Sequence, residues 1–273
     1  PSPTAAPPSP TAAPPSPTAA PPSPTTASRL LGEALPIRSG GIDYGRYHAL
    51  VVGIDRYRIL EPLTTAVGDA RALAELLSRR YGFQVRQLEN PDRAALLAAL
   101  ESYRTTLEPK DNLVIYFAGH GRLESGTGEC HWLPADAARD PGEGANGIAN
   151  SSLVGILRGV RARHVLVVAD SCFAGQGTRP PADSAARQQA VVRKARVVLG
   201  SGGRAPVVAA GGQGSSVFSG ALLRILRDND GVLTGKELAA RLQPLLAGSG
   251  QGPDSGDIRR AGHDGGDFHF VAR

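Results

Sequence analysis

His164-Val165-Leu166-Val167-Val168-Ala169-Asp170-Ser171-Cys172-Phe173-Ala174-Gly175 is the stretch that decides the fold, because an apolar run rich in valine stops there at an acid, a hydroxyl, a thiol and then a glycine. The run is short and lacks the alternation of a half-exposed strand, which predicts a parallel strand buried on both faces. Its carboxyl end is where open α/β sheets carry their chemistry. We therefore expect Asp170 and Cys172 to lie in a functional loop at that end.

A second stretch has the same design. The apolar run 112–117 continues directly into Ala118-Gly119-His120-Gly121. If the two strands are parallel neighbours, Cys172 and His120 emerge at the same edge of the sheet. A histidine activates a thiol by stabilising the thiolate, and the glycines on either side of His120 allow a substrate backbone to approach closely.

The rest of the chain alternates between strand and helix patterns. Strands are predicted over 47–54, 83–88, 195–199, 205–209 and 268–271. Helices are predicted to begin after Thr64-Thr65, at Asn90-Pro91, at Ser151 or Ser152, at Ser216 and at the capping box that starts at Thr234. This order predicts an α/β fold with a mostly parallel central sheet flanked by helices.

The amino-terminal part is a repeated Pro-Ser-Pro-Thr-Ala-Ala-Pro heptad without charge. We interpret residues 1–28 as an extended linker rather than a proline-recognition ligand, residues 29–43 as a connecting segment, and residues 44–273 as the folded domain. The chain contains no Met and no apolar run of ~20 residues. We expect a soluble domain, either cytoplasmic or tethered through a missing amino-terminal segment, with no membrane contact of its own.

Charge and cysteine content exclude several classes of function. The net charge of +5 is modest and the arginines are scattered, so we expect no nucleic-acid partner. Two cysteines are too few for a disulfide framework, and the pair Cys130-His131 lacks further ligands for zinc. The stretch 228–237 imitates an EF-hand but places Leu226 at the first ligand position. The glycine-rich stretch 200–214 lacks the Gly-Lys ending of a phosphate-binding loop. Because none of these patterns forms a complete site, we predict no metal and no cofactor.

The motifs together resemble those of the caspase-like cysteine peptidases, in the prokaryotic form related to metacaspases and orthocaspases. The order of Gly-His-Gly and then Asp-Ser-Cys, 52 positions later (172 minus 120), matches that of caspases. The matching segments are Val52-Gly53-Ile54-Asp55, Asp69, 116–121, Trp132-Leu133-Pro134-Ala135-Asp136, 170–175, Ser216-Val217-Phe218, the turn 230–231 before Glu237-Leu238, and 262–268. The resemblance covers about Tyr47 to Val271 and implies the caspase-hemoglobinase-like fold.

The resemblance also implies roles for individual residues. Cys172 is the expected nucleophile and His120 the general base and acid, while the backbone N–H groups of Cys172 and Gly121 form the oxyanion hole. Asp170 and Asp69 are expected to form a substrate-binding pocket that selects Arg or Lys and repels acidic side chains. The alternative is that Asp170 caps a turn and that Asp69 is a first-turn helix carboxylate.

In this family the peptidase unit has two parts. The resemblance implies a large-subunit-like region over 44–176, an intersubunit loop over 177–195 and a small-subunit-like region over 196–273. The loop exposes basic residues, and Arg187 and Arg193 are candidate sites of self-cleavage. We do not expect a strict dependence on Ca²⁺, because the loop after His120 offers few acidic ligands.

The sequence thus predicts an endopeptidase that cuts peptide or protein substrates after Arg or Lys through a thioester intermediate. The main alternative is a caspase-homology interaction or regulatory module with weak or no catalysis. Thiol redox chemistry is disfavoured because the chain has no Cys-x-x-Cys pair.

Overall fold

A computed structural model describes residues 26–138, 146–171, 187–202, 214–249 and 253–273 of the chain. In chain order the strands are β1 (Ala27–Leu31), β2 (Ile37–Ser39), β3 (Ile42–Gly45), β4 (Tyr47–Gly53), β5 (Gln84–Glu89), β6 (Asn112–Ala118), β7 (Gly121–Leu123), β8 (Cys130–Trp132), β9 (Ile148–Ala149), β10 (His164–Asp170), β11 (Ala195–Gly200), β12 (Val232–Thr234), β13 (Asp254–Asp257) and β14 (His269–Val271). The helices are α1 (Ala66–Tyr81), α2 (Arg93–Thr106), α3 (Asn150–Gly159), α4 (Arg187–Val192), α5 (Val217–Asp228) and α6 (Gly235–Leu246). A 3₁₀ turn covers Arg259–Ala261.

In the described part of the chain, seven strands form one sheet in the order β1-β5-β4-β6-β10-β11-β13. The five central strands run parallel to one another. The outer strands β1 and β13 each pair antiparallel with their neighbour. The predicted α/β class with a mostly parallel central sheet is therefore confirmed.

The buried side chains divide between the two faces of the sheet, because successive residues of a strand point to opposite sides. On one face, Val114 and Tyr116 of β6 pack in the cluster that includes the apolar residues of α1, α5 and α6. On the other face, Leu113 and Ile115 of the same strand pack with those of α2 and α3. This double burial explains why β6 and β10, in the middle of the sheet, are continuous apolar runs rather than alternating ones.

Several small elements lie outside the pattern that the sequence predicted. The edge strand β1 begins at Ala27, inside the stretch interpreted as a linker, and β2 and β3 form a hairpin within and just after the connecting segment. Strands β7, β8 and β9 form a separate three-stranded sheet, and β14 pairs with β12 instead of joining the central sheet. No helix among the described residues is long and apolar enough to cross a membrane.

The predicted starts of α1, α5 and α6 are confirmed. Helix α1 ends at Gly82 in the left-handed conformation, Ser216 caps α5, and Thr234 caps α6 in a complete capping box. The prediction that Asn90 caps α2 is wrong, since Asp92 accepts the capping hydrogen bond from Ala95. Helix α3 begins one residue before the predicted serines, at Asn150. The predicted strand 205–209 lies outside the described residues.

Candidate active site

The carboxyl ends of β6 and β10 meet at one edge of the sheet. The two strands are adjacent and parallel, and Asp170 pairs in register with Ala118. Gly119 and His120 follow Ala118 directly. The sequence prediction that these two strand ends are neighbours is confirmed, and Cys172, two residues beyond Asp170, lies outside the described residues.

His120 is held by its backbone and by its ring. Its backbone N–H donates a hydrogen bond of 2.7 Å to the phenol oxygen of Tyr57, and its carbonyl accepts one of 3.0 Å from the N–H of Leu133. Its ring atom Nε2 lies 2.8 Å from the backbone carbonyl oxygen of Glu61. The rings of Tyr57 and His120 also pack together, with centroids 4.7 Å apart and an interplanar angle of 46°.

The contact with Glu61 assigns the tautomer of His120. A carbonyl oxygen can only accept a hydrogen bond, so Nε2 must carry the proton and donate it. In the neutral imidazole the other nitrogen, Nδ1, then keeps its lone pair. That nitrogen is the one that can take a proton from a neighbouring thiol.

Tyr57 and Glu61 belong to one loop, residues 54–65, which connects β4 to α1. Asn90 fixes the start of this loop, because its side-chain oxygen accepts hydrogen bonds from the N–H groups of Asp55 and Arg56 at 3.0 and 2.9 Å. Asn90 itself has a φ of 48°, a left-handed conformation that asparagine tolerates better than most residues. This role explains why Asn90 does not cap α2.

Two buried carboxylates lie beside the histidine. Asp69, in the first turn of α1, and Asp170, at the end of β10, each expose only 1% of their surface. Oδ2 of Asp69 accepts the backbone N–H of Ser216 at 2.9 Å. Oδ2 of Asp170 accepts hydrogen bonds from the hydroxyls of Ser216 and Ser219. Among the described residues, Oδ1 of each carboxylate is buried without a hydrogen-bond partner.

The electrostatic consequence is a pair of carboxyls that resist ionisation. The pKa of Asp170 is raised to about 6, chiefly by burial and to a lesser extent by the neighbouring charge of Asp69, while the two serine hydroxyls oppose the rise by stabilising the charged form. Burial also raises the pKa of Asp69. A cation that reached both unpartnered oxygens would favour their ionised forms.

A pocket of about 210 Å³ opens onto these carboxylates. Its lining residues come from the loop before α1, from α1 itself and from the two strand ends, and they are Pro62, Leu63, Thr64, Thr65, Ala66, Asp69, Ala118, Gly119 and Asp170. The pocket is therefore lined by apolar side chains, by threonine hydroxyls and by two carboxylates. Gly119 links the pocket to the adjacent His120.

Comparison with known proteins agrees with this geometry. The caspase domain model of peptidase family C14 matches residues 46–253. The chain belongs to the caspase domain family. It is therefore a member of a family of cysteine peptidases, hydrolases that cut peptide bonds.

Solved structures show the same fold for this caspase domain. The crystal structure of protein GSU0716 from Geobacter sulfurreducens matches with a TM-score of 0.57 and 16% sequence identity. The match covers 77% of this chain and 92% of that protein. No curated protein matches the chain significantly.

The remaining predicted site residues of the caspase domain are placed in part. Gly121 is partly exposed at the start of β7, next to His120. Arg187 begins α4, although its side chain lies outside the described residues, and Arg193 is exposed just after that helix. No group of three His, Cys, Asp or Glu side chains that could hold a metal ion occurs within the described ranges. The expectation that Ca²⁺ is unnecessary stays a prediction.

Sequence reasoning missed the contribution of the 54–65 loop. Tyr57 and the carbonyl of Glu61 carry no catalytic motif, and the contact between the loop and His120 spans about sixty positions. A usable signal was present, since the loop follows the carboxyl end of β4 and β4 is the parallel neighbour of β6. Ser216 was expected only as a helix cap, but its hydroxyl and N–H also contact the two acids.

Proposed function

We propose that this caspase domain is an endopeptidase that cuts after Arg or Lys through a thioester intermediate. The observation that carries the proposal is the pair of buried carboxylates in a pocket lined by Gly119, the residue before His120; each carboxylate has one oxygen without a hydrogen-bond partner in the described part of the chain. Cys172 is the proposed nucleophile. Two residues of chain span at most about 7 Å, which keeps Cys172 within that reach of Asp170.

In the first step Nδ1 of His120 takes the proton of the Cys172 thiol, and the thiolate attacks the substrate carbonyl carbon. The other proton stays on Nε2 throughout and is donated to the backbone carbonyl oxygen of Glu61, which keeps the ring oriented. His120 then gives its new proton to the leaving amine as the C–N bond breaks. A thioester between Cys172 and the acyl part of the substrate remains.

In the second step His120 takes a proton from water, and the resulting hydroxide attacks the thioester. The C–S bond breaks and the proton returns to the thiolate of Cys172. Each attack places negative charge on the former carbonyl oxygen, for which the backbone N–H groups of Gly121 and Cys172 are the proposed donors.

The acidic pocket sets the proposed specificity. A substrate guanidinium or ammonium group at the base of the pocket would supply the partners that Oδ1 of Asp69 and Oδ1 of Asp170 lack. A substrate carboxylate would be repelled there by a comparable Coulomb energy. Only ~1.4 kcal/mol is needed for tenfold discrimination, so even a well-screened pair of charges is sufficient.

The test measures kcat/KM for matched fluorogenic peptides that end in Arg, Lys, Ala or Asp. The parent should prefer Arg and Lys, Cys172→Ala and His120→Ala should lose turnover, and Asp69→Asn and Asp170→Asn should lose the preference. Asp267→Asn is the matched control, because Asp267 is another buried carboxyl whose pKa burial raises to about 6 but which is not among the pocket-lining residues. It should leave the preference unchanged.

A parent enzyme that prefers Asp, or unchanged preference in both pocket variants, would overturn the basic specificity. Absence of turnover on every peptide, together with no labelling of Cys172 by an Arg-ending electrophilic probe, would favour the interaction module. The assays need a thiol reductant, because the proposed nucleophile reacts as a thiolate and an oxidised sulfur cannot attack the substrate.

A further inference from the structure

We infer that Tyr57 is a positioning residue for His120, an inference that rests on the proposed peptidase function. The phenol oxygen of Tyr57 accepts the backbone N–H of His120 at 2.7 Å, and its ring lies against the imidazole at a centroid distance of 4.7 Å. One side chain therefore contacts both the main chain and the ring of the general base.

Glu61, four residues after Tyr57 in the same loop, makes the second contact with His120. The carbonyl of Glu61 accepts the Nε2 proton, so the imidazole is fixed at Nε2 by a hydrogen bond and on its face by Tyr57. A histidine ring has two rotatable side-chain bonds, and these two contacts restrict both of them. The Nδ1 lone pair is thereby aimed in one direction.

The residue before the histidine leaves room for this contact. A Cβ atom on Gly119 would lie 2.8 Å from the phenol oxygen of Tyr57, closer than real Cβ contacts. Burial raises the pKa of Tyr57, so the phenol stays neutral at working pH and its oxygen remains an ordinary acceptor. An alanine at position 119 would push Tyr57 away from His120.

The expected effect lies in catalysis rather than in binding. Misplacing a proton-transfer group by a fraction of its hydrogen-bond length lowers the rate of the chemical step, by roughly 10- to 100-fold in comparable cases. Tyr57 is not among the residues that line the acidic pocket. We therefore expect kcat to fall and KM to stay close to that of the parent.

The experiment compares Tyr57→Phe with Tyr103→Phe in the full chain. Both substitutions remove a phenol hydroxyl that contacts a backbone group, but the hydroxyl of Tyr103 donates to the carbonyl of Ala49 in the core. Tyr57→Phe should lower kcat for the Arg peptide about tenfold or more, which corresponds to ~1.4 kcal/mol. Tyr103→Phe should leave kcat unchanged, and Gly119→Ala should lower it in the same way as Tyr57→Phe.

NMR spectroscopy of the substrate-free protein measures how well the His120 ring is ordered. In the parent the His120 ring protons should give one sharp set of NMR signals, whereas in Tyr57→Phe they should broaden or split as the ring samples several orientations. Tyr103→Phe should keep the sharp set. The melting temperature of each variant identifies any general loss of fold.

The outcomes separate this inference from the proposed function. If His120→Ala abolishes turnover but Tyr57→Phe keeps the parent's kcat and the parent's His120 signals, the positioning role is wrong and the peptidase assignment stands. If His120→Ala and Cys172→Ala keep full turnover, the peptidase mechanism is wrong. The NMR comparison then still decides whether Tyr57 orders the ring.

Discussion

The hydroxyl of Ser216 donates a hydrogen bond to Oδ2 of Asp170, while the backbone N–H of Ser216 donates one to Asp69. Ser216 is the N-cap of α5, in the region predicted to be small-subunit-like, whereas both acids belong to the region predicted to be large-subunit-like. The same hydroxyl accepts the N–H of Ser219 at 3.0 Å. The start of α5 therefore holds in place both of the acids that line the pocket.

The first prediction concerns the pH dependence of substrate preference. The pKa of Asp170 is raised to about 6, so its charge in the free enzyme is lost as the pH falls through that value. The ratio of kcat/KM for an Arg peptide to that for a neutral Gln peptide should therefore fall below about pH 6. The ratio cancels the titration of the catalytic groups, which affects both substrates. A ratio that stays constant from pH 8 to pH 5, that is from ~2 units above this pKa to ~1 unit below it, would contradict the prediction.

The second prediction uses Ser216→Ala, which removes the hydroxyl but keeps the N–H bonded to Asp69. Loss of a donor to the carboxylate should raise the pKa of Asp170 further and move the pH transition of the Arg preference upward. Loss of the helix cap should also lower the free energy of unfolding by about 1 kcal/mol. Ser219→Ala is the matched control, because Ser219 also donates to Asp170 but does not cap α5. It should move the pH transition without losing that cap.

The third prediction concerns stability in acid. Burial lowers the pKa of His164 to about 3, and its Nδ1 lies 2.7 Å from the side-chain oxygen of Asn112. The unfolded chain binds a proton on this residue near pH 6.5, so the stability that neutral His164 contributes is complete above pH 6.5 and is lost towards pH 3. Relative to the parent, His164→Gln should remove a slope of up to ~1.4 kcal/mol per pH unit in this window. Identical slopes in urea unfolding of the two proteins would refute this.

The fourth prediction is that peptidase activity persists in a calcium chelator. The two acids of the loop after His120 already have partners, since Glu124 accepts the hydroxyl of Thr127 and Glu129 accepts the backbone N–H of Ser151. Two carboxylates cannot by themselves supply the six or more oxygen ligands that Ca²⁺ requires. Turnover of the Arg peptide in EGTA, with and without added Ca²⁺, tests this. Activity that disappears in EGTA and returns with Ca²⁺ would disprove it.

The fifth prediction distinguishes the two candidate sites of self-cleavage. The bond after Arg193 is packed against the loop that contains Gly266, because a Cβ on Gly266 would lie 2.3 Å from the carbonyl oxygen of Arg193. Arg187 is the first residue of a six-residue helix, and a helix of this length is only marginally stable on its own. We expect intact-mass analysis to find cleavage after Arg187, and Arg187→Gln to prevent it. Arg193→Gln should be cleaved as the parent is, and fragments that end at Arg193 would reverse the assignment.

Local sequence patterns predicted β6 and β10 well, because each is an apolar run buried along its whole length. The same patterns missed β1 and β13. Residues 27–31 are mostly exposed, and the sequence 254–257 is Asp-Ser-Gly-Asp, so neither carries the hydrophobic signal of a buried strand. Both are strands because a neighbouring edge offers them backbone hydrogen bonds.

In the candidate site, too, the sequence predicts some features and only the tertiary structure decides the others. The sequence by itself determined that His120 and Asp170 lie at one edge of the sheet, since each stands at the end of an apolar run and parallel strands present their carboxyl ends at one edge. The tertiary structure alone decided how the histidine and the acids are held, because Tyr57, Glu61 and Ser216 reach them across 46 to 147 positions of chain. No local pattern encodes such contacts. They exist only once the loop before α1 and the start of α5 are packed against the sheet.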